Sequence, residues 1–179
     1  EQKIDSTLSS MTIHEKVGQL NQLDGRGTIE NLKVLIRKGE IGSVMNVTEP
    51  EVVNELQEIA CKQSRTGIPL VFTRDVVHGF KTMLPIPLGQ AATFHPELIQ
   101  EGARIAAIEA TEHGVRWSFA PMIDISRDAR WGRIAESFGE DTYLTEQMAV
   151  AVVNGFKSDD LSNPQSMAAC AKHFIGYGA

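Results

Sequence analysis

The sequence predicts an α/β fold of parallel strands, the N-terminal part of a (β/α)8 TIM-type barrel preceded by short helices, on three observations. Short apolar runs at Ile41–Asn46, Leu70–Thr73, Arg116–Pro121 and Met167–Ala171 alternate with longer stretches of helical periodicity. Such runs, without clear polar alternation, are what parallel strands look like when crossover helices cover both their faces. Polar residues recur where the runs end, at Asn46, Asp75, Asp124 and Lys172-His173, and a barrel gathers its strand ends onto one catalytic face. No glycine-rich phosphate loop follows the first run, where Asn46-Val47-Thr48-Glu49-Pro50 stands, and this weighs against an open dinucleotide-binding sheet. Four strand-helix units make half a barrel. The expected division is therefore a helical lead-in over 1–40 and an incomplete half-barrel over 41–179.

From Lys3 to Leu23 the positions Ile4, Leu8, Met11, Val17 and Leu20 have mainly helical spacing, interrupted at Ser9-Ser10. Thr12 with Glu15 three residues on is a capping-box signal, so a second helix is predicted to begin at Ile13. Asp24-Gly25-Arg26-Gly27 is a turn. Thr28 is placed to cap a helix through Arg37 whose inward face is Ile29, Leu32, Leu35 and Ile36, and Gly39 ends it. Pro50 opens a helix to about Lys62 with Val52, Val53, Leu56, Ile59 and Ala60 inward. The stretch from Val76 to Pro87 is too irregular for a helix or a central strand. Pro96 starts a helix reaching His113, and Gly114 closes it. Thr142 is placed to cap the last helix, Tyr143 to Phe156, and polar loop follows from Ser158 to Gln165.

With 179 residues, 42% hydrophobic and 22% charged, the chain has the size and composition of one folded domain or part of one. A net charge of -6 offers no general attraction to nucleic acid or to an anionic membrane surface, and no apolar run is long enough to span a bilayer. Cys61 and Cys170 each sit beside alanine and read as buried free thiols. No HxxxH or CxxC spacing occurs, so neither a metal nor another cofactor is expected.

The run Asp124–Asp141 crowds Arg127, Arg130 and Arg133 with several carboxylates around Trp131, directly after an apolar strand. That pattern reads as a strand-end active-site loop, against the blander alternative of a salt-bridged surface loop. Asp75 can accept hydrogen bonds from two neighbouring hydroxyls, as a sugar presents them, or can simply pair with Arg74. His78 is expected to hold its loop. Lys172 and His173 can donate to ligand oxygens. Of Arg130 and Arg133, one can clamp hydroxyls or a carboxylate while the other tethers the loop. Trp131 can offer its ring to a sugar face or anchor the loop. Glycosidic hydrolysis needs a carboxylate pair, and Asp75, Asp124, Asp128, Glu136, Glu140 and Asp141 are available, unpaired by sequence alone.

Three segments carry a family likeness: Arg74-Asp75-Val76-Val77-His78-Gly79-Phe80, the run from Arg127 to Asp141, and Lys172-His173-Phe174-Ile175-Gly176-Tyr177-Gly178. Together they resemble the N-terminal catalytic domain of glycoside hydrolase family 3, of the β-glucosidase type. The resemblance implies a retaining, exo-acting enzyme that removes terminal β-linked glucose, from a gluco-oligosaccharide or a glucoside, through a covalent intermediate. It implies that Asp75, Arg133, Lys172 and His173 bind the sugar, with His78, Arg130, Trp131, Glu136 and Asp141 in support. Glu136 and Asp141 would orient the arginines.

The family's nucleophile aspartate and acid/base glutamate would lie beyond Ala179. The partner would then be the remainder of the same enzyme or a complementary barrel half, and the fragment alone would be inactive. A β-xylosidase, a dual enzyme or a sugar-binding pseudoenzyme remain alternatives, and the non-Met start points with the family to a periplasmic or secreted location. Ile175 and Tyr177 depart from the KHFPGHG-like motif of the N-acetylglucosaminidase branch.

Overall fold

The computed structural model describes residues 2–174, 177 and 178. They form an α/β fold with parallel strands, in two compact units, Glu1–Thr73 and Arg74–Ala179. The units meet in sequence between Thr73 and Arg74, inside a strand.

The first unit begins with α1 (Gln2–Ser10) and α2 (Ile13–Gln19). The capping box is present: Glu15 N donates to Thr12 Oγ1 (3.3 Å) and Thr12 N donates to Glu15 Oε2 (2.8 Å). Helical spacing does not continue to Leu23. The helix stops at Gln19, and Gln22–Asp24 forms strand β1, pairing in parallel with β2 (Ser43–Met45) in the register Gln22↔Ser43. Backbone contact decides this, because a Cβ on Gly42 would stand 2.4 Å from the Gln19 carbonyl oxygen. With only glycine there, Gly42 N and Ser43 N both reach the Asn21 carbonyl (3.1 and 3.3 Å), and inter-strand bonding overrides the local period. The lead-in expected over 1–40 thus contains a strand. Its apolar stripe is also less buried than the spacing implied: Met11 is covered, whereas Ile4, Leu8, Val17 and Leu20 are exposed.

α3 (Ile29–Arg37) and α4 (Pro50–Lys62) follow the predicted bounds, although Thr28 makes no side-chain cap bond. They bury Leu32, Ile36, Val53, Leu56 and Ile59 against Val44 of β2 and Phe72 of β3 (Val71–Arg74). Full burial of a side chain such as Leu56 contributes about 2 kcal/mol and fixes which face of each helix meets the strands. Cys61, expected inside, lies exposed on α4.

In the second unit a short helix α5 (Pro87–Ala91), which the sequence reading missed, precedes α6 (Pro96–Glu112). Its five residues offer less than two turns of pattern, and Pro87 at the first turn was the available signal. Strand β4 (Trp117–Ser118) is shorter than the predicted run, and α7 (Thr142–Lys157) is capped by Asp141, not Thr142. The predicted fourth strand appears as parallel bridges, Trp117↔Ala168 and Met122↔Lys172. Helices α6 and α7 pack closely because Gly155 leaves room, and Ala103, Ala107, Met148, Val152 and Phe156 fill the core between them.

Candidate active site

All the groups in question belong to the second unit. Asp75 follows β3, and the backbone on both sides of it is tied to the β4 segment. Phe119 N donates to the Arg74 carbonyl (3.3 Å), and Val76 N donates to the buried Ser118 hydroxyl (3.0 Å). The loop beyond is held by His78, whose Nδ1 donates to the Leu84 carbonyl (3.1 Å) while Leu84 N returns a bond to the His78 carbonyl (2.8 Å). Glu109 of α6 accepts from Lys81 N, Thr82 N and the Thr82 hydroxyl, and these bonds, the hydroxyl's first, hold its carboxyl below the usual range. His78 therefore ties its loop to Leu84.

Lys172 and His173 are positioned by pairing with the segment after β4. Lys172 N donates to the Pro121 carbonyl (3.0 Å), and Ile123 N donates to the Lys172 carbonyl (2.7 Å). The Lys172-His173 peptide is cis. Lys172 is largely covered, and its Nζ lies 2.9 Å from Asp75 Oδ1, so Asp75 pairs with this lysine and not with Arg74. One oxygen of the half-exposed Asp75 carboxylate keeps no partner in that bond.

Arg133 precedes a 3-10 turn, Ile134–Glu136, which brings Glu136 back toward it. The guanidinium forks onto the carboxylate, Nε to Oε1 at 2.6 Å and Nη2 to Oε2 at 2.7 Å. Charge-assisted bonds of this kind favour both ionised forms. Accordingly Arg133 holds Glu136 below the usual carboxylate range, and Glu136, with Tyr177 adding to it, pushes Arg133 upward. The remaining Nη1 reaches His173 Nε2 at 3.2 Å. Tyr177 stacks its ring under the Arg133 guanidinium (5.5 Å to the centroid) and meets His173 edge-on (4.8 Å). Trp131 packs edge-on against Tyr177 (5.4 Å) and beside Gly178, so it anchors this wall.

Asp75, Lys172, His173, Arg133 and Glu136 are thereby linked through the Lys172-His173 dipeptide, although their segments are far apart in sequence. Two expected supporters bond elsewhere. Arg130 binds Asp128 within its own loop, with its Nη2 2.6 Å from Oδ2, and its side chain is almost wholly solvated. The Asp141 carboxylate accepts from Leu144 N (2.7 Å) as the N-cap of α7, so it steadies a helix, and among the described residues it makes no ion pair with an arginine. Two participants lay outside the expected site. Asp124, with a side chain 3% exposed, lies 2.7 Å from His173 Nδ1, and Tyr177 completes the wall. Asp124 was visible as a carboxylate at a strand end, but only the Met122↔Lys172 register reveals its partner.

Chemically, the cluster offers a cationic donor on Lys172, spare N–H groups on Arg133 and an acceptor on Asp75, which together suit vicinal hydroxyls. Among the described residues, no three His, Cys, Asp or Glu side chains gather as a metal site, and no helix is long and apolar enough to cross a membrane. Two surface hollows of this unit lie elsewhere, one against Gln100 and Asn154, the other against Ile123 and Val150.

Residues 12–179 match the family described as glycosyl hydrolase family 3 N terminal domain. The chain is 37% identical to a periplasmic beta-glucosidase of Salmonella typhimurium over 178 residues, 98% of this chain and 23% of that protein. It is 33% identical to a putative beta-xylosidase of Formosa agariphila, covering 99% of this chain and 27% of that one. Among solved structures, beta-glucosidase from Listeria innocua in complex with isofagomine superposes with a TM-score of 0.90 at 38% identity, over 100% of this chain and 26% of that one. The same enzyme has been solved with glucose, with a TM-score of 0.90 at 36% identity over 99% of this chain and 27% of that one. The chain thus spans about a quarter of the length of these relatives.

Proposed function

This chain belongs to glycosyl hydrolase family 3, and from that premise we propose that it is the sugar-gripping part of a retaining, exo-acting β-glucosidase. The observation that supports this reading most is the joining of Asp75, Lys172, His173 and Arg133 in one hydrogen-bonded group. In this reading Asp75 and Lys172 hold neighbouring hydroxyls of the terminal glucose, and Arg133 holds another from a direction fixed by Glu136. Such contacts accelerate hydrolysis to the extent that they strengthen as the ring flattens toward its oxocarbenium-like state. In the same reading the two reacting carboxylates are supplied by parts of the enzyme outside these residues, and the parallel strands contribute to a (β/α)8 barrel. A periplasmic or secreted location accompanies the reading, supported by the Salmonella relative's name.

The test is hydrolysis of an aryl β-glucoside by the full-length enzyme that carries this chain, with retention of anomeric configuration read by NMR of the first-formed product. Failure to release glucose from any β-glucoside overturns the reading. Glucose binding without turnover would point to a pseudoenzyme. Faster release of xylose would favour β-xylosidase, a second reading supported by the Formosa relative.

A further inference from the structure

Hydrogen-bond polarity around His173 is fixed by its neighbours. An arginine can only donate, so Arg133 Nη1 at 3.2 Å from His173 Nε2 requires that nitrogen to accept. An imidazole that accepts through Nε2 carries its single proton on Nδ1. Nδ1 stands 2.7 Å from Asp124 Oδ2, so it donates there. The same carboxylate takes the His173 backbone N–H at 3.2 and 3.3 Å, a second tie between the two residues. Asp124 itself has little freedom. Its side chain is 3% exposed, and the strand register Met122↔Lys172 sets it opposite the histidine. Behind it Gly178, at φ +90°, comes so near that an added Cβ would lie 3.1 Å from the Asp124 Cβ.

We propose that Asp124 is a positioning residue that locks His173 as its Nδ1–H tautomer, so that Nε2 faces Arg133, and any ligand hydroxyl reaching it, as an acceptor. This reverses the donor role the sequence reading gave His173. A hydroxyl that enters between the two side chains must accept from Arg133 and donate to His173, which gives it one direction of hydrogen bonding. A group that cannot donate, such as fluorine or a methyl ether, loses that bond. The tautomer follows from the geometry alone, and only its bearing on a sugar hydroxyl rests on the β-glucosidase reading.

The experiment is NMR of the full-length enzyme labelled with 15N in its histidine rings, His173 being assigned by the signal lost in His173→Gln. The expected result is a single tautomer with the proton on Nδ1. In Asp124→Ala the preference should weaken and a share of the Nε2–H tautomer should appear, because only the 3.2 Å bond from Arg133 then opposes it. In Asp124→Asn, whose amide oxygen can still accept, the Nδ1–H form should persist. A wild-type ring protonated on Nε2, or one unchanged in Asp124→Ala, overturns the proposal. Should Asp124→Ala fail to fold, the wild-type spectrum and Asp124→Asn still decide. No step of this test requires hydrolysis, so failure of the β-glucosidase reading would be seen separately.

Discussion

Replacing Arg133 with Ala in the full-length enzyme separates a ligand-binding arginine from a structural one. In the folded chain the guanidinium makes two short bonds to Glu136 and one to His173. Both members of the ion pair are about one-third exposed, at 31% and 32%, so water can take over much of the stranded carboxylate's solvation. The loss of folding stability should therefore be about 1 kcal/mol, near that of a good surface pair and well short of a buried one. A hydrogen-bonded charge removed from a ligand-filled, desolvated site costs more, about 2 to 5 kcal/mol. At about 1.4 kcal/mol per decade, that is a fall in kcat/KM of roughly 30-fold to several thousand-fold. Initial rates on an aryl β-glucoside, compared with the thermal unfolding midpoint, give the two quantities side by side. Arg133→Lys sharpens the test, because lysine keeps the charge but cannot fork onto Glu136 and reach His173 together. It too should lose most of the activity. If Arg133→Ala lowers kcat/KM by less than about fivefold, or if activity falls only in proportion to stability, Arg133 is a loop brace and the assignment fails.

Other consequences can be checked alongside. Glu136→Gln removes the anionic half of the fork, and if Glu136 orients Arg133 the variant should lose activity, to a smaller degree than Arg133→Ala, with its melting midpoint little changed. Asp75→Ala and Lys172→Ala should be non-additive in kcat/KM, by about 1 kcal/mol in a double-mutant cycle, since their side chains are bonded at 2.9 Å; additivity would mean that their mutual bond does not couple their action on the ligand. Glu15 is held at about 2, against an ordinary 4.5, chiefly by its hydrogen bonds from Arg65. A depressed carboxyl contributes stability that is full above its unfolded value and fades as pH falls through its folded one, so acid unfolding should steepen between about 4.5 and about 2. Glu15→Gln should flatten that part of the curve, and an unchanged acid profile would contradict it. Gly155→Ala would bring a Cβ within 2.4 Å of the Gln100 carbonyl and 2.6 Å of the Ala103 Cβ. Overpacking of this kind should cost about 1 to 3 kcal/mol, read as a lower melting temperature by circular dichroism.

Helices α3, α4, α6 and α7 were legible because each repeats its apolar period several times and is bounded by proline, glycine or a capping residue. Strand β1 was not, because three residues carry no period, and its existence depends on the approach of Gly42 to Gln19, a contact across a turn and a helix. The cap of α7 was misplaced by one residue for a related reason. Asp141 and Thr142 are both good capping types, and only the bond from Leu144 N distinguishes them. That single bond also removes Asp141 from the arginines, which shows how a local demand of the backbone can claim a side chain that composition alone would give to a site.

The linked residues divide along the same line. Arg133 and Glu136 are three apart in sequence, and a single 3-10 turn suffices to face them, so their pairing could be read from spacing. Asp75 and Lys172 each announced themselves as a polar residue ending an apolar run, yet nothing local says that they touch. Asp124 is an equally plain strand-end carboxylate, yet carboxylates abound between Asp124 and Asp141 and sequence alone does not rank it among them. What singles it out is burial: a carboxylate with a side chain 3% exposed must find donors inside the fold, and parallel register supplies two of them from one histidine. Burial of a charge-bearing side chain therefore carries more information about this site than the density of charge around it. The crowded, solvated Arg130–Asp128 pair is the counterexample within the same loop.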